Sequence, residues 1–260
     1  MSATGFTGIV IVLLFVGLMI TFSIIGKNRK SSRLRPIGAY KKIDQEINTS
    51  VEDGSQLHIS LGRGGIIGPD SAAGLAGLSL LKQVIEKSSM CDHPPIASTG
   101  DPVLSILAQD TIRGSSRAIS LADQDKNPSG ELIGVTPFSY AAGSLTTIRN
   151  DNVSANVHTG WFGNEIIWLT TAGERQSSPT IAGTAQLPAQ AIIYASASDP
   201  LIGEELYASG AYLGAGRMHE ASITVQDVMR WLIIILIIGS VVFNLLGFNT
   251  FIEDILAGSM

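Results

Sequence analysis

The sequence is poor in the residues that most chemistry needs. One cysteine, Cys91, stands among 260 residues, which excludes an intrachain disulfide and agrees with a reducing compartment. Four histidines are scattered at 58, 93, 158 and 219, and the short Cys91-Asp92-His93 cluster has no second ligand pair, so no metal site is expected. No G-x-S-x-G elbow is present, and Cys91 has no base beyond its neighbour His93, so nucleophilic catalysis has no visible foothold. Charge is missing altogether from two long stretches, residues 2–26 and 231–252.

Those two stretches are what the chain has most of. The first centres on residues 8–22, and the second opens with Trp231-Leu-Ile-Ile-Ile-Leu-Ile-Ile. Each meets the roughly 20 residues a helix needs to cross the ~30 Å hydrocarbon core. The expected organisation is a transmembrane helix at 1–26, a basic juxtamembrane linker at 27–54, a central domain, a second transmembrane helix at 228–252 and a tail at 253–260. Neither stretch holds an ionisable residue, which argues against a proton or ion path. Asn244 and Thr21 are polar positions suited to interhelical hydrogen bonds.

Basic residues set the expected orientation. Lys27, Arg29, Lys30, Arg33 and Arg35, with Lys41 and Lys42, follow the first stretch with no acid among the seven. Arg230 precedes the second stretch and Glu253 and Asp254 follow it. Basic flanks favour the cytoplasmic side, so the central domain is expected in the cytoplasm of a two-pass cell-membrane protein, with both termini outside. The positive charge follows the apolar core instead of preceding it, unlike a cleaved signal peptide. The first five residues of the collar are positioned to meet anionic lipid headgroups. Setting the seven aside leaves ten basic against 22 acidic residues, a balance of −12, which argues against nucleic acid as a partner.

The central domain reads as α/β. Residues 56–61 alternate as a strand, residues 62–68 are glycine-rich, and residues 72–86 carry a helical stripe of Leu75, Leu78, Leu81 and Ile85, capped by Asp70 or Ser71. A strand at 95–98 and a helix from Asp101-Pro102 follow. The order recurs about 100 residues later. Ala97-Ser98-Thr99-Gly100-Asp101-Pro102 matches Ala195-Ser196-Ala197-Ser198-Asp199-Pro200; Leu57-His58 matches Val157-His158; Gly65-Ile66-Ile67 matches Glu165-Ile166-Ile167. Two α/β repeats, 55–122 and 154–224, joined by a connecting segment at 123–153, are expected. Residues 135–152 stay ambiguous between strand and helix. Asp101 and Asp199, each before a proline, are expected as helix N-caps at the carboxyl ends of strands. The fold class is an internally duplicated, Rossmann-like α/β domain between two transmembrane helices. The flanking apolar stretches, the basic collar and the paired Ala-Ser-x-x-Asp-Pro segments together resemble an uncharacterised bacterial membrane-protein family, a domain of unknown function with a span at each end. The resemblance implies that architecture and carries no activity or catalytic residue.

The sharpest binding candidate is Gly62, Arg63, Gly64, Gly65 and Gly68. A strand, a glycine turn and a helix start present backbone N–H groups to an anion. The spacing nevertheless misses G-x-G-x-x-G by one residue and lacks the Lys-Ser/Thr of a P-loop; a tight turn for close packing is the competing reading. Ser98, Asp101, Ser196 and Asp199 complete the expected ligand edge. No cofactor is implied. The function these features support is a membrane-anchored cytoplasmic binding or scaffold subunit of a homo-oligomer or larger membrane complex; no residue pattern marks it as an enzyme, and the absence of a motif does not exclude one. The alternative is a nucleotide- or anion-binding enzyme or sensor using residues 62–68.

Overall fold

A computed structural model describes residues 3–25, 34–88, 93–118, 130–150 and 152–245. The chain divides into two compact units, one of residues 33–215 and one of the two ends. The larger unit begins with α2 (Gly38–Asp53) and continues β1 (Gln56–Gly62), α3 (Ser71–Lys87), β2 (Ile96–Thr99), α4 (Pro102–Ala118), β3 (Gly130–Leu132), α5 (Pro137–Ile148), β4 (Val153–Trp161), α6 (Ile166–Arg175), β5 (Thr180–Thr184), α7 (Leu187–Ser196), β6 (Asp199–Leu201), a 3₁₀ turn (Gly203–Ala208) and α8 (Ser209–Tyr212). The other unit holds α1 (Ala3–Ile25) and α9 (Arg217–Leu245).

All six strands are parallel, in the order β3-β2-β1-β4-β5-β6. Parallel strands need crossover connections, and intervening helices supply them. The order reverses between β1 and β4, the topological switch point at whose carboxyl side doubly wound sheets hold ligands.

The two faces of the sheet differ in chemistry. Leu57, Ile59 and Leu61 of β1, with Ala97, Ala155, Val157, Ile181 and Leu201, form one aliphatic face covered by α2, α3 and α4. Burial of each such side chain stabilises by about 1.5–3 kcal/mol. The other face carries His58, Ser60, Ser98, Asn156, His158 and Thr180, every one at most 1 % exposed, beneath α5, α6 and α7. Strands of parallel sheets usually read as continuous apolar runs. Here the alternation expected of a half-buried strand belongs to one that is buried on both sides.

Several local expectations are met in altered form. Asp101 does cap α4, its Oδ1 accepting from Leu104 N at 2.8 Å with Pro102 at the first helical position. On α3, Leu78, Leu81 and Ile85 are buried, but Leu75 is exposed; the helix rolls toward Ala73, Gly74 and Gly77, whose small size lets it approach the sheet. Asp199 does not cap a helix. It opens β6, an edge strand, where Pro200 is tolerated because its missing N–H faces no neighbour. The ambiguous 135–152 segment holds α5, started by a capping box of Thr136 and Ser139 with Pro137 between them, and then enters β4. β3 and α5 thus occupy the segment expected to be a plain connector.

The entry and exit of the larger unit are fastened together. Arg35 forms an ion pair with Glu205, the Tyr40 hydroxyl donates to the Glu205 carbonyl, and the Tyr212 hydroxyl donates to the Arg35 carbonyl at 2.7 Å. The Tyr40 and Tyr212 rings stack at 5.0 Å. Burial comes first among the causes that raise the Tyr40 phenol, ahead of the nearby Glu205 carboxylate, so it stays protonated and acts only as a donor.

In the other unit, α9 is 29 residues long and the one helix, among the described residues, long and apolar enough to cross a membrane. The apolar part of α1, Gly8–Ile24, falls short of that length. Asn244 lies near the end of α9, and Thr21 donates to the Gly17 carbonyl within α1 at 2.8 Å. Lys27, Arg29, Lys30 and Arg33 of the collar, and the tail from 246, lie outside the described residues, as do Cys91 and Asp92.

Candidate functional site

The loops that leave β1, β2 and β4 meet at the switch point. β1 ends at Gly62 with φ +74°, a left-handed conformation that glycine adopts without cost. Its carbonyl accepts from Gly100 N at 2.8 Å and from the Thr99 hydroxyl at 3.2 Å, joining the β1 and β2 loops. A Cβ on Gly64 would lie 2.8 Å from that of Trp161, and one on Gly100 2.5 Å from Arg63 Cγ. Glycine at 64 and 100 therefore lets the Trp161 and Arg63 side chains through.

Arg63 reaches across the switch point. Its Nε donates to Glu165 Oε1 at 2.8 Å, and the same oxygen accepts from Gly163 N at 3.0 Å. Burial alone would raise the Glu165 carboxyl, but the Gly163 N–H and the Arg63 guanidinium outweigh it and hold the group below its ordinary value. The Glu165 side chain is only 3 % exposed, so removing the cation strands a buried charge. Arg63→Met is expected to destabilise the full chain by about 2–4 kcal/mol, and the double variant Arg63→Met/Glu165→Leu to recover most of it. Urea midpoints of the wild type, Arg63→Met, Glu165→Leu and the double variant measure this; a double-variant loss equal to the sum of the two single losses would show that the pair carries no coupling.

The glycine loop is engaged by its own chain. Asp70 does not cap α3; its Oδ2 accepts from Gly65 N at 2.9 Å, while Ser71 Oγ donates to the Gly68 carbonyl. The donors that an anion would use at Gly65 and Gly163 are thus bonded to Asp70 and Glu165. Asp101 lies close to Gly65, so the crevice gathers one guanidinium and three carboxylates.

Of the residues singled out from sequence, Gly62, Arg63, Gly64, Gly65, Gly68 and Asp101 come together here. Ser98 lies deeper, on the polar face. Ser196 and Asp199 belong to the opposite edge: Ser196, in the last turn of α7, bonds Thr170 Oγ1 at 2.8 Å, and Asp199 sits at the amino end of β6. The position answering to Asp101 is Gln186. Thr99 and Thr184 end β2 and β5, donate to the Gly62 and Phe162 carbonyls, and accept from the N–H two residues on, of Asp101 and Gln186. Thr-x-x-Pro and Thr-x-x-x-Pro were the legible signals. Glu165 and Trp161 carried none.

Beneath the crevice lies a hydrogen-bonded chain whose donors can be assigned from Ser178 to Ser98. Ser178 donates to the Ser154 carbonyl, so it accepts from Asn156 Nδ2 at 3.0 Å. Asn156 Oδ1 then faces His58 Nδ1 at 3.0 Å, which assigns the proton to Nδ1. His58 Nε2 is left as acceptor for the Ser98 hydroxyl at 2.8 Å. Tyr140 from α5 bonds Ser60 and lies 3.4 Å from Ser98 Oγ. The order Ser98, His58, Asn156 is that of a nucleophilic relay, but all three are at 0 % exposure within strands and sealed by Tyr140. It is a core network that fixes register between β2, β1 and β4.

His158 is the exception in this layer. It is fully buried, its ring lies edge-on to His58 at 5.9 Å and to Phe162 at 6.2 Å, and neither nitrogen has a partner among the described residues. Burial, and then the neighbouring imidazole, push its pKa well down; burial pushes His58 down to about 4 against the opposing bond from Asn156. Both rings are neutral at pH 7. No group of three or more His, Cys, Asp or Glu able to hold a metal occurs among the described residues.

No curated protein and no solved structure matches the chain. Residues 2–255 do match a family, described as a domain of unknown function (DUF6754), and with nearly its whole length covered the chain belongs to that family.

Proposed function

We propose that this chain is a membrane-anchored binding or scaffold subunit that meets other proteins through the carboxyl edge of its sheet. The observation that carries this reading is a row of apolar side chains left in solvent there. Ile67 after β1, Val103 and Ile106 after β2, and Val135 and Phe138 after β3 are all exposed, Ile67 by 95 % and Phe138 by 76 %. They follow three adjacent strands, and single large apolar residues on a surface need no explanation whereas such a group marks an interaction site. The occupied donors at Gly65 and Gly163 favour this over the nucleotide- or anion-binding alternative, which draws its support from the glycine loop and its place at the switch point.

The anchoring has its own support. α9 has the length and composition of a span, and the fastening of Arg35 to Glu205 and Tyr212 sends both connections out of the larger unit at one corner. Two spans flanking one domain would put that domain on one side of a membrane, and the basic collar favours the cytoplasm, with both termini outside. Arg35 is already paired with Glu205, so contact with anionic headgroups would rest on Lys27, Arg29, Lys30 and Arg33. The halves β1-α3-β2-α4-β3 and β4-α6-β5-α7-β6, with matching threonines at 99 and 184, support descent from a duplicated unit.

Native mass spectrometry of the full chain, extracted gently from its own membrane, tests the reading. Assemblies of fixed ratio are expected, and Ile67→Glu/Phe138→Glu should reduce them to the single chain while leaving its circular dichroism unchanged. A wild-type chain that is monomeric and partner-free would overturn the proposal.

A further inference from the structure

The polar face of the sheet rests unevenly on its helices. α5 buries four residues, Tyr140, Ala141, Ser144 and Ile148, where α3 on the aliphatic face buries nine. Its polar tie to the sheet is the Tyr140 hydroxyl, bonded to Ser60 and Ser98. Directly below lie the two imidazoles of His58 and His158, in edge contact on the central strands β1 and β4. The groups that face them are Asn156 and Phe162 from β4 and the segment after it, Ser60 from β1, Ser98 from β2, Tyr140 from α5 and Ala182 from β5. No carboxylate is among the causes that shift either ring, so nothing in the layer would compensate an imidazolium; the Tyr140 phenol, itself raised by burial, stays neutral.

We infer that the His58–His158 pair is a proton-operated latch, and that protonation of the pair releases α5 from the sheet while the aliphatic side stays folded. A charge placed in this layer has three ways to be relieved: solvent entry, a counter-charge or loss of the proton. Solvent reaches the pair at the least cost by lifting α5, since α2, α3 and α4 lie across an apolar face. Lifting it breaks the Tyr140 bonds and exposes the Ser98–His58–Asn156 chain. Local openings of this kind draw on weakly buried elements, and of those on this face α5 is the one that Tyr140 ties to Ser98, the partner of His58. This latch does not depend on the partner reading above.

Hydrogen exchange followed by mass spectrometry on the full chain in nanodiscs, at pH 7.5 and pH 5.0 and corrected for intrinsic rates, tests it. Protection of peptides covering 137–148 is expected to fall by about tenfold or more at pH 5.0 while those of α3 hold. His158→Leu, close in volume and unable to take a proton, should lose clearly less α5 protection at pH 5.0 than the wild type, the remainder being the share of His58. Unchanged α5 protection in the wild type, a loss spread equally over α3, or the same loss in His158→Leu would each overturn the latch. Should His158→Leu not fold, the histidine C2–H resonances of the wild type serve instead: two rings titrating together with α5 exchange support it, and rings titrating as free imidazoles overturn it.

Discussion

Lowering the pH from 7 to 5 is expected to remove about 2 kcal/mol of folding stability through His58 alone, with His158 adding in the same direction. The sign follows from the proton count. An unfolded histidine takes its proton near pH 6.5, whereas folded His58 resists until about 4. Between these values the unfolded chain binds more protons, so acid favours unfolding; below about 4 both states are protonated and the His58 contribution is fully lost. The loss comes chiefly from water-starved imidazoles on a face with no carboxylate to receive the charge. Urea midpoints of the full chain in nonionic detergent, taken from pH 8 to 5, measure it. His158→Leu should lessen the slope and leave the His58 part of it. At pH 8 the same change should be close to neutral, because the ring it removes has no bonded nitrogen to lose. A wild-type midpoint level across this range would contradict the neutral, buried state of both rings.

Gly77→Ala is expected to destabilise by about 2–4 kcal/mol, although alanine is the better helix former by ~1 kcal/mol. The reason is the approach of α3 to the sheet. A Cβ at 77 would stand 2.5 Å from the Thr159 carbonyl oxygen of β4 and 3.1 Å from the Leu61 side chain. A backbone carbonyl inside a parallel ladder cannot swing aside, so the helix or the strand must shift. Gly114 in α4 provides the contrast. Nothing lies within 4 Å of the Cβ it would gain, and Gly114→Ala should stabilise by about 0.5–1 kcal/mol. Opposite signs for one substitution in neighbouring helices would separate packing from propensity; a stabilised Gly77→Ala would mean that α3 sits further from β4 than described.

Much of the first half of the domain was legible because its signals are local. Residues 56–61 alternate, Asp101-Pro102 caps a helix, and 72–86 carries a helical stripe, so β1, α3, β2 and α4 were placed close to where they form. The second half was harder for a physical reason. Asp199-Pro200 has the chemistry of a helix start, yet an edge strand also accepts it, since only one side of such a strand must present N–H groups. The α5 start went unread because its capping box uses Ser139 where Glu or Gln is usual. The polar layer was invisible for another reason. Alternation of polar and apolar residues looks the same whether the polar side meets water or a second layer of helices, and only the topology decides. Of the candidate site, the glycine loop and Asp101 could be read. Asp70 has the chemistry of a helix cap and is spent instead on Gly65 N, five residues back, while Glu165 reaches Arg63 across about 100 residues of sequence, which no local pattern encodes.

The fastening of Arg35, Tyr40, Glu205 and Tyr212 has a consequence for how the domain could have spread or be reused. Its first and last segments finish side by side, so the α/β body is an insert: it can be lifted from the chain and set into a surface turn of another protein with little added closure entropy. For the same reason its ends can be joined and new ones opened elsewhere, making it a natural candidate for circular permutation.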